Sequence, residues 1–416
     1  MTFLEELEYR GLIKDVTDRE GLEERVKTPM TVYCGFDPTA DSLHVGHLQQ
    51  ILLLMRWQKE GHRPIALCGG ATGMIGDPRP TTERRLLTLE DVQHNVECIK
   101  AQLGRFLNFN EEGGAILANN YDWLGHMNIL EFLRDYGKNF NVNYMLNKDT
   151  IASRLEKGIS FTEFTYTILQ AADWLHLYQT YNCIGQIGGS DQWGNLTSGT
   201  ELIRKIEGAD VKVFGITSPL ITKSDGTKFG KSEGANVWLD PERTSPYQFY
   251  QFFINSSDDD VINFLKRLTF LSPEEISALE VSLKEEPHKR EAQKALARET
   301  TRLVHGEEGL QEALMISETF FSGDFSKLNV NQLKQALSGV TSITVEDGAS
   351  LLETLVEGKI CSSKREAREM ISGNSITVNG TKVNALDAVL NKSEAYGEEI
   401  TVIRKGKKSY FLVNFK

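Results

Sequence analysis

Two histidines three residues apart, His44 and His47, bracket Gly46 in the stretch TVYCGFDPTADSLHVGH from Thr31 to His47. Leu48, Ile51, Leu52 and Met55 follow at helical spacing, so both histidines fall in the first turn of a helix expected to open at Asp41 and Ser42. A helix N-terminus presents unpaired N–H groups and a partial positive charge, to which two imidazoles add donors without a fixed charge. Such a combination suits phosphate oxygens. An H-x-x-H pair can equally be half of a metal site or two core histidines, and the pair alone leaves those readings open.

A second constellation lies in FTEFTYTILQAADWLHL, which reads as a helix over 162–177. Tyr166, Gln170 and Asp173 stand at i, i+4 and i+7, on one stripe. A stripe facing a hydrophobic core would not carry an amide and a carboxylate. Turned inward, these groups must bond a polar ligand, because burying each one unpaired costs about 1–3 kcal/mol. Leu169 and Trp174 on its flanks can pack normally. The third group of interest is Lys228, Lys231 and Ser232, within ITKSDGTKFGKSEGAN. That segment is polar, glycine-rich and aperiodic, the pattern of a mobile loop, and taken by itself a solvated surface explains it.

The elements that must hold these groups follow from the pattern around them. Thr31–Phe36 is β-branched and aromatic and runs into Gly35 and an Asp-Pro turn, the mark of a strand. RPIALCGG from Arg63 to Gly70, AILANN from Ala115 to Asn120, CIGQIGG from Cys183 to Gly189 and the segment from Val211 to Leu220 read as further strands. Helical stretches separate them, which implies a parallel, doubly wound (Rossmann-like) sheet. In such folds ligands sit beyond the carboxyl ends of the strands, where Gly35, Gly70 and Gly189 fall. Residues 3–25 read as an amphipathic helix. From Pro246 onward the pattern is helical, with a helix start at Ser272. The expected division is a catalytic domain over 1–220, the loop with an α-helical domain over 221–322, a linker over 323–348 and a small α+β domain over 349–416. In that last part Ser362 or Ser363 caps a helix carrying Lys364, Arg365 and Arg368, and Asn379-Gly380 marks a hairpin.

Composition narrows the classes. A chain of 416 residues is long enough for two or three domains. With 25% charged and 40% hydrophobic residues, no run of 18 apolar residues and no apolar segment behind a basic start, a cytoplasmic protein away from membranes is expected. Cys34, Cys68, Cys98, Cys183 and Cys361 are odd in number and scattered, which suggests neither a disulfide framework nor a zinc site. Residues 351–416 carry 11 Lys+Arg against 8 Asp+Glu, on a chain whose net charge is −12. A mildly basic tail on an acidic body suits local contact with RNA.

The order strand, Gly, Asp-Pro-Thr, Leu-His-x-Gly-His resembles the first signature of class I aminoacyl-tRNA synthetases, and Lys228-Phe-Gly-Lys231-Ser232 resembles their second, Lys-Met-Ser-Lys-Ser. With the helix stripe and GGSDQWGN around Gln192, the whole chain is similar to the bacterial tyrosyl-tRNA synthetase family. The resemblance implies activation of L-tyrosine by ATP and transfer to tRNA(Tyr) by a homodimer, with Mg²⁺ accompanying the pyrophosphate and no resident metal or organic cofactor. It implies that Tyr33 and Asp173 hold the substrate's phenolic OH, that Asp77, Tyr166 and Gln170 meet its ammonium, and that Gln192 lies near its carboxylate. Cys34 and Asp191 would reach the ATP ribose, Gly35 and Gly46 would let the nucleotide approach, and Asp37 would hold the ammonium or order its loop. His44, His47 and Thr39 would face the phosphates from one side and Lys228, Lys231 and Ser232 from the other. Lys364, Arg365 and Arg368 would meet tRNA phosphates, as in the small RNA-binding fold named after a ribosomal small-subunit protein.

One loop departs from the family pattern. Gly76–Arg85 reads GDPRPTTERR, without the lysine usual there, so that Arg79, Arg84 or Arg85 must supply the cation, and Arg84 aligns best. Three other readings stay open: a nucleotidylyltransferase without tRNA, a non-catalytic RNA-binding relative, and a tryptophanyl-tRNA synthetase.

Overall fold

The computed structural model describes residues 1–416 except 79–85, 111–112, 157, 228, 233–234, 323–324, 338 and 407–408, and only the backbone of 149–150, 231–232, 321 and 326. Packing divides the chain into two compact units, Met1–Arg243 with Asn255–Leu296, and Thr244–Ile254 with Ala297–Lys416.

The first unit is built on five parallel strands: β1 (Thr31–Phe36), β2 (Arg63–Cys68), β3 (Ile116–Asn119), β4 (Cys183–Gly189) and β5 (Phe214–Ser218). They lie in the order β3-β2-β1-β4-β5. All four pairings are parallel, and strands with near-continuous burial such as β2 and β4 are what a sheet covered on both faces requires. The chain winds outward from β1 to β3, then crosses back to the other side of β1. That reversal opens a crevice between the carboxyl ends of β1 and β4.

Two expected helices form differently. Residues 3–25 split into helices Phe3–Tyr9 and Arg19–Arg25. Gly11 at φ 67 breaks the run, Val16 bridges to Ile216 of β5, and Asp18 caps the second helix. The buried Arg10 donates to the carbonyls of Lys266 and Leu271, at the unsatisfied end of helix Asp258–Leu268. The helix after β1 spans Val45–Lys59 and opens later than Asp41, because the His44 side chain is the N-cap. Asp41 bonds Arg243 instead, and Ser42 receives the Gln102 amide.

Helices Asp258–Leu268 and Pro273–Glu285 belong to this first unit, the latter opened by the Ser272–Glu275 capping box. Pro246–Ile254 and most of Glu291–Ser322, which is broken at Gly306, belong to the second. The helical stretch thus does not pack as one body.

In the second unit a five-stranded sheet runs in the order Thr381–Val383, Ile376–Val378, Ile400–Lys405, Ser409–Phe415, Ser342–Val345. Asn379 and Gly380 both take positive φ, as the tight hairpin between the first two demands. Leu351, Leu355, Ile371, Ile376, Ile403 and Val413 form its core. Residues 323–348, expected as a linker, contain helix Val330–Ala336 and the edge strand Ser342–Val345. Phe325, Leu328, Leu333 and Leu337 are buried against Ile400, Val402 and Leu412, which sets an apolar period the sequence alone did not reveal. No helix among the described residues is long and apolar enough to cross a membrane.

Candidate active site

At the switch point lies a cavity of about 310 Å³. Its lining includes Tyr33, Cys34, Gly35, Asp37 and Thr39 from β1 and the turn after it, Gly46 and His47 from the helix start, Asp77, Tyr166, Gln170 and Asp173, and Asp191 and Gln192 beyond β4. The sequence stripe does turn inward: Tyr166 and Asp173 are buried in helix Phe161–Tyr181, whose Ser160 cap fixes where its first turn begins. Gly189 lines the cavity, but Gly69 does so in place of Gly70. A Cβ on Gly70 would fall 2.2 Å from Asn119 Oδ1, so that glycine makes room for a neighbouring amide.

A continuous hydrogen-bond network holds the deep end. Tyr166 Oη donates to Asp37 Oδ2 at 2.9 Å, and Thr72 Oγ1 donates to Asp37 Oδ1 at 2.8 Å. Asn120 Nδ2 then spans from Thr72 Oγ1 to Asp173 Oδ2, 2.9 Å each, while its Oδ1 accepts from Ala71 N and so fixes which way the amide points. Trp123 Nε1 donates to Asp173 Oδ1 at 2.8 Å. Thr72, Asn120 and Trp123 escaped the sequence reading; the one available signal was the Asn119-Asn120 pair ending β3. Asn195 was missed likewise: it and Gln192 donate to Asp77, at 3.3 and 2.7 Å.

Electrostatics divide the cavity into two ends. Burial pushes the Asp173 carboxyl up to about 8, against the opposing pull of its Asn120 and Trp123 donors, and pushes Asp77 up to about 6. Burial also lifts the hydroxyl pKa of Tyr33, helped by Asp173, and of Tyr166, helped by Asp37. Tyr33 Oη has no hydrogen-bond partner among the described residues although the ring is buried. An orphaned phenol beside a carboxylate in a cavity suits a ligand hydroxyl that can accept from one and donate to the other.

At the opposite end the imidazoles are locked. His44 Nδ1 accepts from Gly46 N at 3.0 Å, and His47 Nδ1 accepts from His44 N at 3.2 Å. Both protons therefore reside on Nε2, the outer nitrogen. Burial lowers both pKa values, that of His47 to about 3, so neither ring carries charge near neutrality. Gly46 serves this cap directly, since a Cβ would sit 2.6 Å from the His44 ring. His44 does not line the cavity itself; its ring lies 4.1 Å from that of His47.

Arg84 and Lys228 lie outside the described residues, as do the side chains of Lys231 and Ser232, whose backbone forms β6 (Lys231–Ser232) paired with β7 (Ala235–Asn236). In the second unit, helix Lys364–Ser372 is capped by Ser363 and exposes its cations. Lys364 pairs with Glu353 at 2.5 Å and Arg365 with Glu369 at 3.0 Å. Water screens exposed pairs of this kind, so an incoming phosphate can take either cation.

Sheet order, switch-point cavity and a helix start armed with neutral donors define an α/β enzyme that handles a nucleotide and a small polar substrate. Residues 24–322 match the family of class I tRNA synthetases for W and Y, and residues 332–413 match the SYY-like C-terminal domain of tyrosine–tRNA ligase. Tyrosine–tRNA ligase 1 of Bacillus cereus is 56% identical over 420 residues, covering 100% of both chains. Tyrosine–tRNA ligase of Staphylococcus epidermidis is 53% identical, covering 99% of each. A C-terminally truncated mitochondrial tyrosyl-tRNA synthetase of Aspergillus nidulans is 34% identical with a TM-score of 0.67, over 77% of this chain and 94% of that one. The chain belongs to the tyrosyl-tRNA synthetases, class I ligases.

Proposed function

We propose that this chain activates L-tyrosine with ATP, giving tyrosyl-adenylate and pyrophosphate, and then transfers the tyrosyl group to the 3′ end of tRNA(Tyr). The observation that carries the substrate is the orphaned Tyr33 hydroxyl in the same cavity as Asp173. A phenolic OH would give the Tyr33 hydroxyl its partner and bond Asp173 beside the Asn120 and Trp123 donors; phenylalanine would leave Tyr33 stranded. Asp77, Tyr166 and Gln170, with Asp37 behind Tyr166, give the cavity the negative character an ammonium needs, and Gln192 would turn toward the carboxylate. Cys34 and Asp191 border the space for the ribose, beside Gly35.

The tyrosine carboxylate is ionised at neutral pH and attacks the α-phosphorus itself. The enzyme's part is to align the two reactants and to aim donors at charge developing on the phosphates. His44 and His47 would supply neutral Nε2–H donors with Thr39 nearby, and Lys228, Lys231 and Ser232 would supply charge from the loop. Arg84 is assigned the cation of the 76–85 loop, and Arg84→Ala should slow adenylate formation with little change in tyrosine affinity. Mg²⁺ would arrive on ATP, bonded chiefly to its phosphates and keeping several waters. When bound it would spread the charge leaving with pyrophosphate.

In the second unit Lys364, Arg365 and Arg368 would track tRNA phosphates. Activation and RNA contact thus fall to different parts of the chain. The exposed apolar residues Ile129, Leu130, Leu133, Val142 and Phe161 support a homodimer, and the likeness to bacterial tyrosine–tRNA ligases supports a cytoplasmic site of action.

The deciding experiment is amino-acid-dependent exchange of labelled pyrophosphate into ATP without tRNA. Exchange with tyrosine and not with phenylalanine or tryptophan supports the assignment. No exchange with any of them refutes it.

A further inference from the structure

The chain that leaves the signature loop comes straight back to the histidines. Beyond β7, Val237 N donates to Gly230 O at 3.0 Å, Val45 N donates to Val237 O at 2.9 Å, and Leu239 N donates to Leu43 O at 2.8 Å. His44 and Trp238 are thereby paired across an antiparallel bridge. Gly230, the residue before β6, runs so close to the helix start that a Cβ there would lie 3.1 Å from Val45 Cγ2, and its φ of 93 already favours glycine.

Side chains extend the connection. The Trp238 indole meets the His44 imidazole edge-on, centroids 6.0 Å apart at 71°. Arg243 lies over the Trp238 ring, its guanidinium carbon 3.7 Å from the centroid, and it also bonds Asp41. The imidazole's only polar tether among the described residues is the bond from Gly46 N to Nδ1. One hydrogen bond fixes where Nδ1 sits but leaves the ring free to tilt about it, and Nε2 swings with the tilt. Packing against Trp238 and His47 removes that freedom.

We propose that Trp238 and Arg243 are positioning residues for adenylate formation: Trp238 sets the His44 ring plane and keys the Lys231 hairpin to the helix start, and Arg243, anchored on Asp41, clamps Trp238 in place. This rests on the reading that His44 and Lys231 serve the ATP phosphates. The cluster accounts for the position of Asp41, which the sequence places at a helix start and the structure places under Arg243. It also gives the two signature segments a fixed mutual register through backbone bonds rather than through substrate alone.

The test is single-turnover tyrosyl-adenylate formation by the full chain, with tyrosine affinity from equilibrium dialysis, for Trp238→Ala, Trp238→Phe, Arg243→Ala, His44→Ala and the His44→Ala/Trp238→Ala pair. Trp238→Ala should slow the step about 10- to 100-fold while tyrosine affinity stays within about twofold, because the misplacement is confined to the phosphate end. Trp238→Phe should recover most of the rate, Arg243→Ala should show a smaller loss of the same kind, and the double variant should be about as slow as His44→Ala alone. Fully additive losses in the double variant, or wild-type rates in both Trp238→Ala and Arg243→Ala beside a slow His44→Ala, overturn the proposal. A tyrosine affinity that falls along with the rate in both single variants also overturns it, because it marks general damage. His44→Ala at the wild-type rate instead overturns the underlying reading of the phosphate end.

Discussion

Asp173, at the deep end of the cavity, is 2% exposed and has a donor on each carboxylate oxygen, whereas Arg365, on the basic helix of the second unit, is 88% exposed in its side chain and bonded to one acid a turn away. Both are charged-type residues on capped helices. In the cavity, water cannot replace a lost partner, so every group depends on the few fixed atoms around it and the site can demand one substrate shape. On the surface, water and salt compete for each cation, so binding is a sum of small, interchangeable terms. The first arrangement suits discrimination between amino acids. The second suits a grip on a long polyanion.

The contrast is sharpest at Asp173. Asp173→Ala should cut kcat/KM for tyrosine in pyrophosphate exchange on the order of 100- to 1,000-fold, because it strands Asn120, Trp123 and the substrate OH together. A loss below about tenfold would place the phenol elsewhere. Next in size is Asn120→Ala, which leaves Trp123 as the one described donor to Asp173 and should raise the KM for tyrosine about tenfold, with ATP KM little changed. Equal shifts in both KM values would contradict a role at the tyrosine end.

On the surface side the effects should be small and salt-dependent. Arg368→Ala should lower tRNA charging about threefold, leave adenylate formation intact, and reduce the slope of log affinity against log salt by about one contact's share. An unchanged slope would remove Arg368 from the RNA face. The smallest effect concerns stability. With the Asp173 carboxyl lifted to about 8, the folded chain keeps a proton that the unfolded chain, with a carboxyl pKa near 4, has released, so between about pH 4 and pH 8 stability falls as pH rises. Asp77, lifted to about 6, adds its own fall over the lower part of that window. Asp173→Asn, neutral throughout, should lose less stability between about pH 5 and pH 8 than the wild type by urea unfolding, and equal losses would show that Asp173 ionises normally.

Some of this site was legible because it was local. β1 and β4 carry their own short buried runs and their glycines near the carboxyl end, and the Tyr166–Gln170–Asp173 stripe is a property of one helix read at its own period. Thr72, Asn120 and Trp123 were not legible, because each is an ordinary polar or aromatic residue beyond a strand end. They acquire meaning only when β2 and β3 lie side by side and bring 72, 120 and 173 within bonding distance. Nor did the sequence reveal that His44 is the cap of its helix. Asp41 and Ser42 are the commoner cap types, and the imidazole takes over only because Val237 and Leu239 hold Leu43 and Val45 in an extended bridge.

The same division holds for the second unit. Its hairpin and basic helix follow from Asn379-Gly380 and Ser363, signals complete within a few residues. The strand Ser342–Val345 became visible only in the fold, because its partner Ser409–Phe415 lies far along the chain and no short-range pattern records a pairing at that distance. The sequence by itself determined which residue types were present at each turn and strand end, and through them the chemistry available. The tertiary structure decided which of those groups meet, which are stripped of water and which proton each one holds, because burial and hydrogen bonding between distant segments are properties of the packed chain.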